Sequence, residues 1–261
     1  MEIKTAISEI IKGRDLQRED MTSVMFQILE GRSTDAQIGA FLAALSIKGE
    51  SIDEVVGVVS VMRELSEKVE VDTHHLVDTC GTGGTGVGIF NVSTASAFIA
   101  CACGAKVAKH GNTSATRKSG SADLLEEAGL SLELSPKEVS RCIEEIGIGF
   151  MFAPAHHTAM KHAVGPRKEM GIKTIFNIVG PLTNPAGALN QVIGVYNKRW
   201  LKPIAEVLRE LGSQHVLVVH SKDHLDEISI ANETYVAELL NGSIQEYVIK
   251  PEDFGFKKHS L

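Results

Sequence analysis

Apolar residues recur at helical spacing through the first seventy residues or so of the chain. The pattern runs through the segments AISEII, MTSVMFQIL, IGAFLAAL and VVGVVSVMREL, each of which can bury one helix face. Thr34 with Gln37, and Ser51 with Glu54, fit the capping box that opens a helix. These residues carry no chemical motif, so the pattern predicts a small helical domain over residues 1–72 with an interface role.

From about His74 the pattern changes to short apolar runs that alternate with helical segments. The predicted strands are HLVDTCG, AKVAKHG, GIGFMFAP, QVIGVY and HVLVVH. Such alternation favours a mostly parallel sheet flanked by helices, here over residues 73–261. Asn241-Gly242 stands between two alternating runs and predicts a hairpin. A helix is expected near 157–170, with a break at Gly165-Pro166, and it can pack with the helical domain.

Composition and charge narrow the possible functions. The net charge of −7 argues against general nucleic-acid binding, which needs a basic surface. No apolar run approaches the roughly 18 residues of a membrane span, and the charged N-terminus is unlike a secretory signal. The spacing of the four cysteines fits neither a zinc site nor a disulfide framework. We therefore expect buried, reduced cysteines and a cytoplasmic protein without a membrane or nucleic-acid partner.

A glycine loop follows the first predicted strand and is the first candidate site. Glycine occupies four of six positions in Gly81-Thr82-Gly83-Gly84-Thr85-Gly86, and such a backbone can turn several N–H groups toward a phosphate. It is neither a Walker A loop nor a Rossmann fingerprint, and a flexible turn is the structural alternative.

The segment Asn91-Val92-Ser93-Thr94 opens the next predicted helix. These residue types usually cap a helix. However, a helix N-terminus beside a glycine loop is also suited to an anion.

Cations, hydroxyls and glycines are concentrated at the end of the second predicted strand and in the residues that follow it. Lys109, Arg117 and Lys118 can pair with phosphates, and Ser119 and Ser121 can donate hydrogen bonds to them. A solvated basic loop is the alternative interpretation.

Two further groups are weaker signals by themselves. His156-His157 precedes Arg167, whose guanidinium could bind a carboxylate at two points, although a histidine on a helix is more often structural. Asp226-Glu227 follows the strand HVLVVH. Adjacent carboxylates usually lie on a wet surface, but at the carboxyl end of a strand they could hold Mg²⁺.

Seven blocks, in order, make the chain resemble the anthranilate phosphoribosyltransferase family. They are DTCGTGG, NVST, KHGN, KSGSADLLEEAG, FAPAHHTAMKHAV, TIFNIVGPLTNPAG and LDEIS. The resemblance implies a nucleoside phosphorylase/phosphoribosyltransferase-like fold and Mg²⁺-dependent transfer of phosphoribosyl from phosphoribosyl pyrophosphate to anthranilate, in tryptophan synthesis. It also implies a homodimer.

The resemblance also implies roles for individual residues. Those implied for phosphoribosyl pyrophosphate are Gly81, Thr82, Gly83, Gly84, Asn91, Ser93, Thr94, Lys109 and Ser121. Those implied for the metal are Ser93, Asp226 and Glu227. Those implied for anthranilate are Asn112, His157, Arg167, Gly180 and Pro181, with His110 on the same side. His110 and His157 are the candidates for accepting a proton, and no catalytic residue is assigned beyond them.

The chain departs from the family pattern at two positions near the substrates. Thr85 stands where the family usually has Asp, and Thr113 where it usually has Arg, with Arg117 nearby. Family members are also expected to continue beyond the C-terminal PEDFGFKKHSL. Two alternatives therefore remain: a nucleoside phosphorylase of the same fold, which would lack the GPLTNP and HHTAM blocks, and a non-catalytic binding relative.

Overall fold

A computed structural model describes residues 1–85, 89–114 and 119–260. Contacts divide the chain into two compact units. The helical unit comprises Met1–Glu67 and His157–Thr183, and the sheet unit comprises Lys68–His156 and Asn184–Leu261. The predicted domains were continuous stretches, 1–72 and 73–261, whereas residues 157–183 belong to the helical unit.

The helices and strands within the described residues have the following bounds. The helices are α1 (Ile3–Ile11), α2 (Arg18–Leu29), α3 (Asp35–Lys48), α4 (Ile52–Glu64), α5 (Val92–Ala102), α6 (Ser121–Glu127), α7 (Pro136–Ile146), α8 (Ala153–His156), α9 (Lys161–Met170), α10 (Phe176–Val179) and α11 (Leu201–Glu210). The strands are β1 (Leu76–Gly81), β2 (Lys106–Gly111), β3 (Ile148–Phe152), β4 (Asn190–Gly194), β5 (His215–Ser221), β6 (Thr234–Leu240) and β7 (Ser243–Ile249). Short 3₁₀ turns lie at Thr158–Met160, Gly180–Leu182, Lys198–Trp200 and Pro251–Phe254.

The helical unit confirms the helices predicted at the start of the chain. Thr34 and Ser51 both form complete capping boxes, at the starts of α3 and α4. The Glu54 side chain of the second box is fully buried. It also accepts the Leu16 N–H at 2.9 Å and pairs with Lys48 at 2.8 Å. One side chain thus caps α4 and ties two other segments to it.

Residues 157–183 join this unit because α9 packs against α2 and α3, and α10 packs against α4. The predicted break at Gly165-Pro166 is wrong, since α9 continues through Pro166. Ala163 and Pro166 are the buried residues of α9. Burial of the proline ring offsets the backbone hydrogen bond that proline cannot make.

The sheet unit contains one sheet in the order β3-β2-β1-β4-β5-β6-β7. The strands from β3 to β5 in this order are parallel, and β6 and β7 add an antiparallel edge. The predicted hairpin is confirmed, because Asn241 and Gly242 both have positive φ between β6 and β7. A mostly parallel sheet with flanking helices, as predicted, is therefore the fold of this unit.

The core beside β1, β2 and β3 is aliphatic. Its buried cluster consists of Val69, Leu76, Ala108, Val139, Ile143, Met151, Ala186 and Ala188. A Cβ on Gly149 of β3 would lie 2.7 Å from Ile143 and 2.9 Å from the Val139 carbonyl oxygen. Glycine is therefore needed on β3 for α7 to pack this closely. Among the described helices, none is long and apolar enough to cross a membrane.

Candidate active site

The glycine loop lies where the direction of the sheet connections reverses. From β1 the chain continues to β2 on one side, while β4 on the other side of β1 continues to β5. Ligands of open α/β sheets bind outside the carboxyl ends of the strands at such a point. The end of β1 at Gly81 and the end of β4 at Gly194 form this position.

The beginning of the loop is held by hydrogen bonds to the end of β4. Thr82 donates its N–H to the Gly194 carbonyl oxygen at 2.8 Å, and its hydroxyl accepts the Tyr196 N–H at 2.9 Å. Gly83 and Gly84 follow with φ of 65° and 75°, a left-handed conformation that favours glycine. The described part of the loop is therefore anchored at its start, and Gly86 lies outside the described residues.

Asp226 lies directly against this loop. Its side chain is 3% exposed and accepts the Gly83 N–H at 2.9 Å. A Cβ on Gly194 would overlap the Asp226 carbonyl oxygen, so the close approach of this segment requires glycine at the end of β4. The wet-surface alternative therefore fails for Asp226, while Glu227 is half-buried.

The donor set suits a hard divalent cation. Asp226 and Glu227 offer carboxylate oxygens, the ligands that Mg²⁺ prefers. Among the residues with described positions, no group of three or more His, Cys, Asp or Glu side chains could hold a metal. Two carboxylates fit an ion that takes its remaining ligands from substrate phosphates and water, as Mg²⁺ commonly does.

Lys109 connects β1 and β2 to the start of α5. Its ammonium donates to the Thr79 carbonyl oxygen at 2.5 Å and to the Ser93 hydroxyl at 3.3 Å. The Thr79 hydroxyl donates to the Ser93 carbonyl oxygen at 2.8 Å. A buried cation is thereby fixed next to the N-terminus of a helix, and both features attract anions.

The capping alternative for Asn91 is not what the structure contains. Asn91 precedes α5 but makes no side-chain capping bond, and its amide oxygen accepts the Ser119 hydroxyl at 3.2 Å. Thr94 is 1% exposed, and within the described part of the chain its hydroxyl has no hydrogen-bond partner. Asn91 thus links the start of α5 to the predicted basic segment.

The described ends of that basic segment are joined by one carboxylate. Asp123 accepts the Gly120 N–H at 2.6 Å and the Ser114 N–H at 2.9 Å. These two hydrogen bonds hold the pKa of Asp123 below its usual value. Asn112 accepts the Ser121 hydroxyl at 3.5 Å through its carbonyl oxygen. Arg117 and Lys118, the predicted cations, lie outside the described residues.

Asp78 is a buried residue of the site to which the sequence analysis gave no separate role. Its fully buried carboxylate accepts the Asn184 amide at 2.8 Å, the His110 N–H at 3.2 Å and the Gln191 amide at 3.4 Å. Burial raises the pKa of Asp78, and the charge of Lys109 opposes that shift. A charged residue inside an otherwise apolar strand is the sequence signal that could have found it.

Cys80 follows on β1. Burial, and then the charge of Asp78, raises the pKa of the Cys80 thiol to about 12. The thiol therefore stays protonated at neutral pH and is a poor nucleophile. All four cysteines are free, as expected, but Cys103 is exposed and the other three are only half-buried, so the predicted burial is wrong.

The remaining predicted residues form a second group within the helical unit. His157 is 7% exposed, and its Nε2 lies 3.4 Å from the Thr183 hydroxyl. The same hydroxyl donates to the Gly180 carbonyl oxygen at 2.9 Å, and Pro181 is buried. This bonding places His157 beside the turn Gly180–Leu182.

Arg167 belongs to the same unit but has a different environment. Its guanidinium lies 4.9 Å from the centre of the Phe176 ring, and burial lowers its pKa. Within the described residues, no carboxylate is close enough to form an ion pair with it. Arg63 was missed by the sequence analysis. Burial lowers its pKa too, and it donates to the Leu182 carbonyl oxygen at 2.8 Å.

The class of protein follows from comparison with known families. Residues 4–66 match the helical bundle domain of the glycosyl transferase family, and residues 73–261 match the a/b domain of the same family. An anthranilate phosphoribosyltransferase from Ectopseudomonas mendocina is 60% identical over 261 residues, which is all of this chain and 75% of that protein. The enzyme of the same name from Cellvibrio japonicus is 58% identical, with 76% of its length covered.

Solved structures agree with these relatives. The anthranilate phosphoribosyltransferase of Thermus thermophilus has a TM-score of 0.91 and 42% identity, over 98% of this chain and 76% of that one. The Saccharomyces cerevisiae enzyme in complex with PRPP and Mg has a TM-score of 0.88 and 26% identity, over 99% of this chain and 75% of that one. The chain belongs to the anthranilate phosphoribosyltransferase family and spans about three quarters of the length of the curated relatives it matches.

Proposed function

We propose that this chain transfers the phosphoribosyl group of phosphoribosyl pyrophosphate to the amine of anthranilate and releases pyrophosphate, a step of tryptophan biosynthesis. The observation that carries the proposal is the glycine loop at the reversal point of the sheet. There, the Gly83 amide donates to the Asp226 carboxylate after the end of β1. Lys109 of β2 donates to the Thr79 carbonyl oxygen of β1. Amides, a cation and a carboxylate are the groups that a metal-bound diphosphate requires.

The glycine loop and the start of α5 bind phosphoribosyl pyrophosphate in this proposal. The loop formed by Gly81, Thr82, Gly83 and Gly84 cradles its pyrophosphate, and Asn91, Ser93, Thr94, Lys109 and Ser121 contact the rest of the molecule. Negative charge grows on the leaving pyrophosphate as its bond to C1 of the ribose breaks. Donors fixed in advance stabilise that charge without having to reorganise. Lys109 and Ser93 are already fixed by their hydrogen bonds to Thr79 and to each other.

Mg²⁺ is the metal that we propose, with Ser93, Asp226 and Glu227 as its ligands. Bound there, it would neutralise charge on the pyrophosphate. The yeast relative described above contains Mg together with PRPP. Asp226 supports the assignment because its carboxylate is buried beside the glycine loop rather than on a wet surface.

The second group of residues, in the helical unit, binds anthranilate in this proposal. This group consists of His157, Arg167, Gly180 and Pro181, and Asn112 of the sheet unit is a further proposed contact to anthranilate. Arg167 orients the anthranilate carboxylate through two parallel hydrogen bonds, which a lysine cannot provide. The absence of an ion-pair partner within the described residues leaves its charge for the substrate.

The acceptor amine needs little activation. An aromatic amine is neutral at pH 7, so it can attack C1 once it is held next to the sugar, and positioning of this kind can supply up to roughly 7–11 kcal/mol. His110 and His157 are the candidates for receiving the proton that the amine then loses. His157 is fixed by the Thr183 hydroxyl, and His110 by its backbone bond to Asp78.

The decisive assay mixes the protein with Mg²⁺, phosphoribosyl pyrophosphate and anthranilate and follows the loss of anthranilate fluorescence. We expect the signal to fall only when all three components are present. A panel of aromatic amines tests whether Thr85 and Thr113 alter the choice of acceptor. Phosphorolysis of nucleosides without anthranilate turnover would instead identify a phosphorylase, and binding without either reaction would identify a non-catalytic relative.

Arg167→Ala tests the acceptor side of the proposal. Losing a charged hydrogen bond costs roughly 1.5–3 kcal/mol, so the KM for anthranilate should rise about ten- to a hundred-fold, with a much smaller change for phosphoribosyl pyrophosphate. Arg167→Lys is the matched control, since it keeps the charge and loses the two-point geometry. Equal losses for both substrates would show that Arg167 is structural.

We also propose a homodimer formed through the helical unit, in the cytoplasm. Ile11 on α1 and Ile47 on α3 are 71% and 87% exposed, although the other large apolar residues of these two helices are mostly buried. Four free thiols fit a reducing compartment.

A further inference from the structure

The Asp226 carboxylate accepts a hydrogen bond from one of the backbone amides that, in the proposed function, binds the pyrophosphate. Its Oδ2 accepts the Gly83 N–H at 2.9 Å, and a Cβ on Gly81 would lie only 3.0 Å from the same oxygen. The side chain is 3% exposed. The close approach at Gly194 fixes the backbone of Asp226 as well. This carboxylate is therefore built into the mouth of the glycine loop.

A carboxylate at this position opposes the entry of an anion by itself. It accepts the same N–H that a phosphate oxygen would accept, and two negative charges at this separation repel each other. The opposition is strong because the group is buried, where charges are poorly screened. A divalent cation reverses the sign of this interaction, since it binds both the carboxylate and the phosphate oxygens.

We propose that Asp226 is a latch on the glycine loop as well as a metal ligand. The Asp226 carboxylate holds the Gly83 N–H until it turns to the divalent cation, and only then does the Gly83 amide become available to the pyrophosphate. The latch makes the loop selective for a metal-bound diphosphate over a free one. This inference rests on the proposed function, because it presumes that the loop binds the pyrophosphate.

Three variants distinguish the role of Asp226 as the acceptor of the Gly83 N–H from its role as a metal ligand and from the effect of its charge. Asp226→Ala removes both the acceptor and the charge. Asp226→Asn keeps an oxygen that can accept the Gly83 N–H but removes the charge. Glu227→Gln removes the neighbouring carboxylate and leaves the Gly83 bond in place. Far-ultraviolet circular dichroism and urea unfolding establish first that each variant is folded.

Calorimetric titration with inorganic pyrophosphate, in EDTA and in Mg²⁺, is the measurement. In EDTA, Asp226→Ala should bind pyrophosphate about tenfold more tightly than the wild type, the size expected for freeing a charged hydrogen bond. In EDTA, the affinity of Asp226→Asn for pyrophosphate should lie between those of the wild type and Asp226→Ala. Glu227→Gln should increase the affinity less than Asp226→Ala does. In Mg²⁺ the order reverses, and all three variants bind more weakly than the wild type.

Hydrogen exchange on the wild type tests the same idea without a substitution. Mg²⁺ alone should speed deuterium uptake at residues 81–85, because the Gly83 amide loses its acceptor when Asp226 turns away. This measurement keeps the inference open to refutation even if Asp226→Ala fails to fold. Unchanged or slower uptake in saturating Mg²⁺ would overturn the latch.

Different results would refute the proposed function and the latch. A wild-type protein that binds no pyrophosphate even with Mg²⁺, and turns over no anthranilate, refutes the proposed function. A wild type that binds pyrophosphate with Mg²⁺, while Asp226→Ala gains no more than Asp226→Asn in EDTA, leaves that function standing. It refutes the latch, because loss of charge then explains the whole effect.

Discussion

Asp78 joins three segments on the sheet side of the site through buried hydrogen bonds. It accepts hydrogen bonds from segments at β2, at β4 and just after the helical unit, through His110, Gln191 and Asn184. Asn184 in turn donates to the Ala108 carbonyl oxygen at 2.9 Å and accepts the Ala186 N–H at 2.9 Å. Buried hydrogen-bond networks of this kind favour one arrangement, and removal of one member is costly.

Asp78→Ala should therefore destabilise the protein by about 3 kcal/mol, because it leaves the buried donors of Asn184, His110 and Gln191 without their acceptor. The measurement is the free energy of unfolding in urea. Asp35→Ala is the control, since Asp35 is exposed in the first turn of α3 and should cost less than about 1 kcal/mol. Equal costs for the two variants would mean that the network contributes little.

Asp123 gives a pH-dependent prediction at the same scale. Backbone hydrogen bonds from Gly120 and Ser114 lower its pKa, so the folded state favours the charged form. The stabilisation is therefore complete above the unfolded pKa of about 3.9 and is lost as the pH falls through the lower, folded value. Asp123→Ala should cost about 1 kcal/mol at neutral pH, and the difference from wild type should shrink in acid.

Urea unfolding at neutral pH and again well below the unfolded pKa of about 3.9 checks this sign. Glu126→Ala is the matched control, because Glu126 is an exposed carboxylate on the same helix. The prediction fails if the cost of Asp123→Ala is the same at both pH values, or if the Glu126 variant loses as much.

Single residues show which parts of the site could be predicted from sequence. Asp226 and Lys109 were found because their neighbours in sequence are unusual for a structural role, and the resemblance supplied their functions. Asp78, Asn184 and Arg63 were missed, because what distinguishes them is burial and partners from distant segments. The Asp78–Asn184 bond spans 106 positions, and spacing along the chain gives no indication of it.

At the scale of elements, helix ends were predictable wherever a local rule determines them. The predicted boxes at Thr34 and Ser51 both form, because each needs only residues within one turn. The course of α9 through Pro166 was not predictable from local rules, since packing against α2 and α3 outweighs the preference of proline. Tertiary contacts decide an element when its local signals conflict.

A matched pair of glycines tests how tightly one element end is packed. Gly147 after α7 and Gly129 after α6 both have left-handed backbones, with φ of 85° and 89°. A Cβ on Gly147 would lie 2.9 Å from the Cys101 sulfur of α5, whereas a Cβ on Gly129 would have no neighbour within 4 Å. Gly129→Ala should cost about 1–2 kcal/mol from the backbone alone. Gly147→Ala should cost measurably more in urea unfolding, and equal costs would show that Cys101 yields freely.

At the scale of the whole molecule, the alternation of strands and helices predicted the type of sheet, and seven sequence blocks predicted the family. The sequence predicted that a helix near 157–170 can pack with the helical domain, but it did not predict that this second segment of the helical unit continues through residues 171–183. A pattern of apolar positions shows that a helix has a buried face, but not which partner covers it. The net charge of −7 also conceals the local cation at Lys109 that suits an anionic substrate.

Dimer formation is the last prediction and concerns the whole molecule. A single exposed aliphatic side chain is ordinary, but Ile47 is 87% exposed on a helix whose residues Ile38, Phe41, Leu42 and Leu45 are buried. If Ile47 lies in a two-fold contact, the same apolar surface of each protomer takes part, and burial of Ile47 stabilises the dimer. Light scattering at micromolar concentration should give twice the chain mass of 28.1 kDa.

Ile47→Glu should shift the mass to that of the monomer, because a charge would be buried on both sides of the contact. Val248→Glu is the control. Val248 is 43% exposed on β7 of the sheet unit, outside the proposed contact, so its substitution should leave the dimer intact. A monomeric wild type would refute the dimer, and a dimer that survives Ile47→Glu would place the contact on another surface. Loss of the dimer in both variants would indicate general destabilisation, which urea unfolding of the same samples would reveal.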